Sequence, residues 1–345
     1  MSASARCCWR LACVWIALGA CKQSDLVAVR ADAAPATCMG PDCQPAECAA
    51  HSCESALNSA QFCEESGNLV AAGDGCSASA PSTPVFRFAL CSCTDFVTSS
   101  PFEVDGPAAP AIAIDGELRV ADGVRLAGSV RVGEELRTGS TSMPPDIGGR
   151  LEEHADPSCA CGGDALFDFS AALSQRRTDN DNAARDPREL DGFSGARDLD
   201  LACGRYYFTR IAGTGALRMR IHGRVALFVA GNIELDDAWN VQLDAGAQLT
   251  LIIAGNVRVG GRLELNPGGD ASNAQLLVGG AGTIDLNAET SVHATLYAPR
   301  SELVTRARFE LSGALLLRRV APGAEFIVHY AASAGDPAAN GCQAN

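Results

Sequence analysis

Residues 225–235 read VALFVAGNIEL and residues 249–259 read LTLIIAGNVRV, so one pattern returns at a fixed offset of 24 residues (Val225 to Leu249, 249 − 225). Each copy is an apolar run, then Ala-Gly-Asn, then an apolar–charged–apolar triplet. A unit this small cannot bury its own apolar face. A repeat at this period therefore points to like units stacked into a solenoid. Less regular copies follow: QLLVGGAGTIDL at 275–286, TLYAPRSELV at 295–304 and ALLLRRVAP at 314–322. Further triplets lie between them: Val241-Gln-Leu243, Leu263-Glu-Leu265, Phe309-Glu-Leu311 and Phe326-Ile-Val328. Each unit then holds about three short strands separated by Gly, Asn or Pro corners.

Strands this short, with tight turns and no helical period between them, suit a parallel β-helix, in which each strand pairs with its equivalent one coil away, at about 4.8 Å. An antiparallel sandwich is the rival, but it has no reason to repeat Ala-Gly-Asn at a constant offset. The register is testable in advance. It stacks Glu234, Arg258 and Asp285 on one outer face with alternating sign, each opposite pair contributing a few tenths to ~1 kcal/mol. It also places Asn232 over Asn256 at one corner, with Ala281 and Gly282 ending that ladder.

The start of the chain reads as an address. Arg6 and Arg10 precede the apolar stretch LACVWIALGA, which has signal-peptide length and is too short to span a bilayer. Leu18-Gly19-Ala20-Cys21 resembles the bacterial lipoprotein box, and that resemblance implies lipidation of Cys21 as the first mature residue. The competing reading is an ordinary secretory signal. With Lys22 rather than Asp after the cysteine, the expected location is exported and lipid-anchored, at the outer membrane or cell surface. Loss of Arg6 and Arg10 leaves 27 − 2 = 25 basic against 41 acidic residues, a formal charge of −16. Phosphate backbones repel such a chain, so nucleic acid is not expected as a partner.

Residues 22–37 read as a tether and 38–84 as a cysteine-rich module ending in the linker SASAPSTP. Cys38, Cys43, Cys48 and Cys53 are spaced by five, and Cys63 and Cys76 follow. Sixteen cysteines lose Cys7, Cys8 and Cys13 with the signal and Cys21 to lipid, leaving an even twelve. The spacing is not that of a zinc ribbon, so disulfides are expected among these six and Cys91, Cys93, Cys159, Cys161, Cys203 and Cys342, with the pairing open. Cys203 is the natural partner for Cys159 or Cys161.

Residues 85–137 read as the first coils, with Leu118-Arg-Val120, Val124-Arg-Leu126 and Val130-Arg-Val132 recurring every six residues and directing Arg119, Arg125 and Arg131 outward from three faces. Residues 138–198 interrupt the pattern. They contain ALFDFSAALSQRR at 165–177, which fits a short amphipathic helix, and read as an insertion or cap covering a solenoid end. Regular coils fill 199–330, and 331–345 is a tail.

The motifs CAC (159–161), TDNDNA (178–183), CGRYYF (203–208), GRVALFVAGNI (223–233), LTLIIAGNV (249–257), LYAP (296–299) and FIVHY (326–330) together resemble an uncharacterised domain family of exported proteins and lipoproteins from myxobacteria-like bacteria. ALCSC at 89–93 resembles a segment that precedes that domain. The resemblance covers about half the chain and implies a right-handed parallel β-helix at the cell surface, with no established reaction and no catalytic residues to carry over.

Chemistry-bearing residues are few. Asp179, Asp181 and Asp186, with Asn180 and Asn182, are oxygen ligands of the kind calcium takes. Counted from Asp179, however, the EF-hand positions for Gly and Glu hold Ala184 and Leu190, and Asx-rich loops more often cap turns. Arg220, His222 and Arg224 with Asp236 and Asp237 are a candidate acid–base set of the polysaccharide-cleaving kind. His293 is expected between Glu264 and Glu310. No nucleophile elbow or phosphate-cradling loop is present, and no cofactor is expected. The reading is a mainly β lipoprotein with a structural, adhesive or scaffold role toward matrix polysaccharide or another envelope protein. The alternative is a polysaccharide lyase or hydrolase on the same fold.

Overall fold

The computed structural model describes residues 62–63, 86–106, 112–120, 123–138, 145–156, 159, 161, 167–183 and 185–331. Cys21, the tether, Cys38, Cys43, Cys48, Cys53, Cys76 and Cys342 lie outside them. The described chain is a parallel β-solenoid with three faces. Face one stacks Gly204–Phe208, Arg224–Val229, Gln248–Ile253 and Ala274–Val278, then the middle of Thr290–Thr305. Face two stacks Asp191–Phe193, Ile211–Gly213, Ile233–Leu235, Val257–Val259 and Thr283–Leu286. Face three stacks Arg197–Leu201, Leu217–Ile221, Trp239–Leu243 and Leu263–Leu265. Inward residues alternate with outward ones and fill one continuous core of Val, Ile, Leu and Phe.

The order of stacking is not the order of the chain. The coils of residues 90–152 do not precede the coil that begins at Asp191. They stack beyond the last one. Leu90–Ser92 pairs with Leu315–Leu317, and Phe102–Asp105 pairs with Phe326–His329, all parallel. From there the chain winds outward through Ile112–Ile114, Val130–Val132 and Leu151–Glu152. It must then return along the whole stack to start again at Asp191. The segment from Cys159 to Asn182 is that return strap, and its helix α1 (Phe169–Arg176) is shorter than the 165–177 pattern suggests.

The strap explains why face one reads as unbroken apolar runs. Its outward row is Tyr207, Phe228, Ile252, Leu277, Tyr297, Leu316, Cys91 and Ala113, paired rung on rung. A strand buried on both sides carries apolar residues at every position, where a half-exposed strand alternates. The cover is Phe62, Phe86, Phe88, Cys159, Ala172 and Leu173. Thus the insertion covers a flank rather than an end. Beyond the strap the row turns polar at once, with Arg131 and Glu152 paired at 3.3 Å.

Three disulfides fasten this cover: Cys91–Cys159, Cys93–Cys161 and Cys63–Cys203. The expected union of Cys203 with Cys159 or Cys161 does not form. Cys159 and Cys161 lie where the strap leaves the 90–152 coils, whereas Cys203 lies in the first coil of the other segment, at the opposite end of the strap. Cys63 belongs to the solenoid's cover, not to the cysteine-rich module alone.

Candidate functional site

Faces two and three are the exposed ones, and their outward rows are where recognition or chemistry would sit. On face two the register Glu234, Arg258, Asp285 is as the repeat predicts. The ion pairs go elsewhere, however. Arg258 reaches back to Asp236 at 2.6 Å, and Asp285 meets Arg306 at 3.5 Å. Each pair joins a strand residue to a corner residue of the adjacent coil instead of to the residue directly opposite. The row then loses its charge: Val304 and Ala321 follow, and Val97 stands in the adjoining coil, before Arg119 and Arg137 resume it. A shallow hollow of about 630 Å³ opens there, lined by these apolar residues with Arg119 and Arg306 at its sides.

Face three carries a longer row whose charges are mostly acidic: Asp198, Arg218, Asn240, Glu264, Ser291, Glu310, Ile327, Glu103, Arg125 and Asp146. Neighbours are joined by Arg218–Asp198 at 3.5 Å, Asn240 donating to Glu264 at 2.6 Å, and Arg125–Glu103 at 3.4 Å. Arg262 and Arg308 add partners for Glu264 and Glu310. The residue between Glu264 and Glu310 is Ser291, not His293, which stands opposite Ser312 with its Nδ1 3.2 Å from the Gly269 carbonyl. A different histidine takes the bridging place. His329 Nδ1 lies 2.7 Å from Asp105 and its Nε2 3.5 Å from Glu310. His222 is held similarly by Asp244 at 2.6 Å and Asp200 at 3.6 Å.

The acid–base set proposed from the sequence is dispersed by the fold. His222 pairs with Asp244, Arg224 sits over the Phe62 ring on face one, and Asp236 belongs to Arg258. Asp237 accepts from the Ala238 N–H at its own corner, and Arg220 stands exposed in register between Asp200 and Gln242. Asp236 lines a hollow of about 300 Å³ with Glu234 and Arg258.

The TDNDNA loop has another use for its oxygens. Asp179 meets the Arg176 guanidinium and lies 3.8 Å from Arg205; Asp181 accepts from the Arg205 backbone N–H at 2.7 Å and faces its side chain at 3.4 Å. Asp186 accepts from the Arg188 N–H at 2.8 Å. Two of the three carboxylates therefore neutralise guanidiniums that are 1% and 2% exposed, and the third fixes a turn. Burial and the neighbouring Arg205 charge pull the Arg176 guanidinium down from its ordinary value. Asn182, grouped from the sequence with the possible calcium oxygens, has a different use. Its side chain donates to the Tyr207 carbonyl at 2.8 Å and accepts from the Tyr207 N–H at 2.9 Å, closing the end of face one. Asp115, Cys159 and Cys161 also bring potential ligand atoms together, but both sulfurs are in disulfides and offer no thiolate.

Residues 168–336, from the strap helix to just past the last coil, match the family described as "Domain of unknown function (DUF7305)". Among solved structures the chain is similar to an ice-binding protein from the Antarctic ascomycete Antarctomyces psychrotrophicus, at 10% identity over 73% of this chain and 97% of that one, with a TM-score of 0.29. It is also similar to the Shewanella frigidimarina ice-binding protein_1 DUF3494 domain, at 17% identity over 73% and 98%, with a TM-score of 0.24. An ice-binding protein from an Antarctic biological consortium matches at 15% identity over 73% and 91%, with a TM-score of 0.22. No curated protein matches the chain.

Proposed function

We propose that this protein is a non-catalytic scaffold, exported and lipid-anchored through Cys21, that presents faces two and three as rigid ladders to matrix polysaccharide or to another envelope protein. The observation that carries the reading is the pairing of the outward charges. Glu103, Asp236, Glu264, Asp285 and Glu310 each hold an arginine partner within 3.5 Å, spread along the stack rather than converging on a cleft. A catalytic pair needs two groups converging on one bond; carboxylates each tied to their own guanidinium and spread along outer faces do not converge. Such a row is preorganised instead for contact, because strand pairing fixes the spacing of its charges. Among the described residues no helix is long and apolar enough to cross a membrane, so the anchoring reading rests on the sequence at Cys21. The soluble chain from Lys22 onward should bind a matrix polysaccharide, or an envelope extract component, without releasing reducing or unsaturated ends. Turnover that is lost in Asp237→Asn would establish the enzyme alternative in its place.

A further inference from the structure

The junction between the last coil and the coil of residues 90–105 is a closed contact between two pieces of chain. Thr94 donates to the Arg318 carbonyl across 224 residues of sequence, and Cys93, Leu315 and Phe326 add backbone bonds of 2.9–3.0 Å over the same seam. Four fully buried phenylalanines fill the core beneath it, two from each side. Phe96 stacks on Phe102 at 4.5 Å, Phe309 stacks on Phe326 at 4.7 Å, and the pairs meet through Phe96–Phe326 at 6.1 Å and Phe102–Phe326 at 5.9 Å. The strand pairing is that of any other rung, with an aromatic cluster at its centre as in a protein interface.

Beyond the seam the pieces also meet through Phe86, whose ring lies 6.4 Å from the Tyr297 ring and whose carbonyl accepts from the Tyr330 hydroxyl at 3.4 Å, and Cys63, upstream of the first piece, is bonded to Cys203 of the second. Residues 86–161 are closed on themselves by Cys91–Cys159 and Cys93–Cys161, and residues 167–331 carry their own coils and helix. Six residue steps from Cys161 to Phe167 join them, a reach of roughly 20 Å when extended. Short connections between complementary pieces favour exchange, because the same contacts form equally well with the matching piece of another copy.

We propose that the seam is an interface for a second copy of this chain: residues 86–161 of one copy stack on the Phe309–Tyr330 coil of another, giving an exchanged dimer. The test uses two full-length variants. Phe96→Asp spoils the seam on the 86–161 side and leaves Phe309 and Phe326 intact; Phe326→Asp does the reverse. Neither can close its own seam, but together they can build one good seam between copies. The expected result is a 1:1 heterodimer by size exclusion with light scattering, formed on co-refolding and absent from either variant alone. A mixture that is only the sum of its two components overturns the proposal. The wild-type chain provides an arm that needs no variant. Unfolded with its disulfides intact and refolded at high concentration, it should yield a dimer that persists on dilution. Monomer at every refolding concentration would count equally against exchange.

Discussion

At the scale of single residues, the end of the stack shows what an oxygen-rich loop is for. The first rung of face one has no strand below it, so the Tyr207 N–H and carbonyl would be buried and unpaired. The Asn182 amide supplies both partners, as a strand would. Asn182→Ala should therefore cost about 1–3 kcal/mol, the range for leaving buried backbone groups unsatisfied, read as a shifted urea midpoint with unchanged slope. The loop's Asx content was legible; its purpose was not, since calcium ligation and capping draw on the same residues and only the position of Arg205 and Tyr207 decides between them. Tyr297 yields a second prediction. Burial pushes its phenol up from the ordinary value, while the Phe167 N–H it accepts and the Arg300 charge pull it back. A phenol raised in the folded state keeps its proton there longer than in the unfolded chain. Stability is then complete below the unfolded value of about 10 and lost as pH rises through the folded one. Urea midpoints should fall above pH ~10, and Tyr297→Phe should flatten that fall; an unchanged slope in the variant would assign it to other groups, such as Tyr206 and Tyr330.

At the scale of elements, the strap is held both by covalent staples and by fit. Cys91–Cys159 and Cys93–Cys161 each close a 68-residue separation, worth roughly 4 kcal/mol in unfolded-chain entropy. They are not additive. With either in place the long loop is already closed, and the other closes only a short ring. Replacing one pair by serines should cost about 2 kcal/mol or less, and replacing both should cost about 4 kcal/mol or more. Equal and additive losses in denaturant unfolding would show that the staples act through local packing instead. Fit is tightest at Gly279, where a Cβ would stand 2.6 Å from the Phe169 ring. Gly279→Val should lift α1 there and cost about 1–3 kcal/mol, the usual range for overpacking. The doubled apolar runs of face one were visible in VALFVAGN and LTLIIAGN, but they identify a strand covered on both sides without naming the cover. The helix pattern at 165–177 and the cysteines at 159 and 161 were equally visible, yet spacing along a chain carries no information about which flank a segment crosses.

At the scale of the whole molecule, the repeat period specified coils, and the fold confirms them as a parallel solenoid. What it could not specify is which coil follows which in space. Leu118-Arg-Val120 has the same apolar–charged–apolar form as Ile233-Glu-Leu235, so its inward face fits any open rung, and chain order is a poor guide once a strap can carry the chain back along the stack. The consequence is energetic. In a continuous solenoid every junction is backed by a covalent turn, and stability is a sum over coils and their nearest neighbours. Here one junction lacks that turn and is held by strand pairing and its four phenylalanines. Phe326→Ala removes the ring that touches all three others and should cost about 3–5 kcal/mol, as for large core truncations. Its effect should also be uneven. Hydrogen exchange should lose protection first in residues 90–152, which are few coils with one neighbour to rest on, while the strands from Gly204 to Val278 keep theirs under the strap. A core truncation of similar size away from the seam, such as Phe228→Ala, should instead lower protection across the regular coils and leave 90–152 no worse than their neighbours. If both variants lost protection in the same pattern, the seam would be one rung among equals, and the stack would unfold as a single cooperative unit despite its broken order.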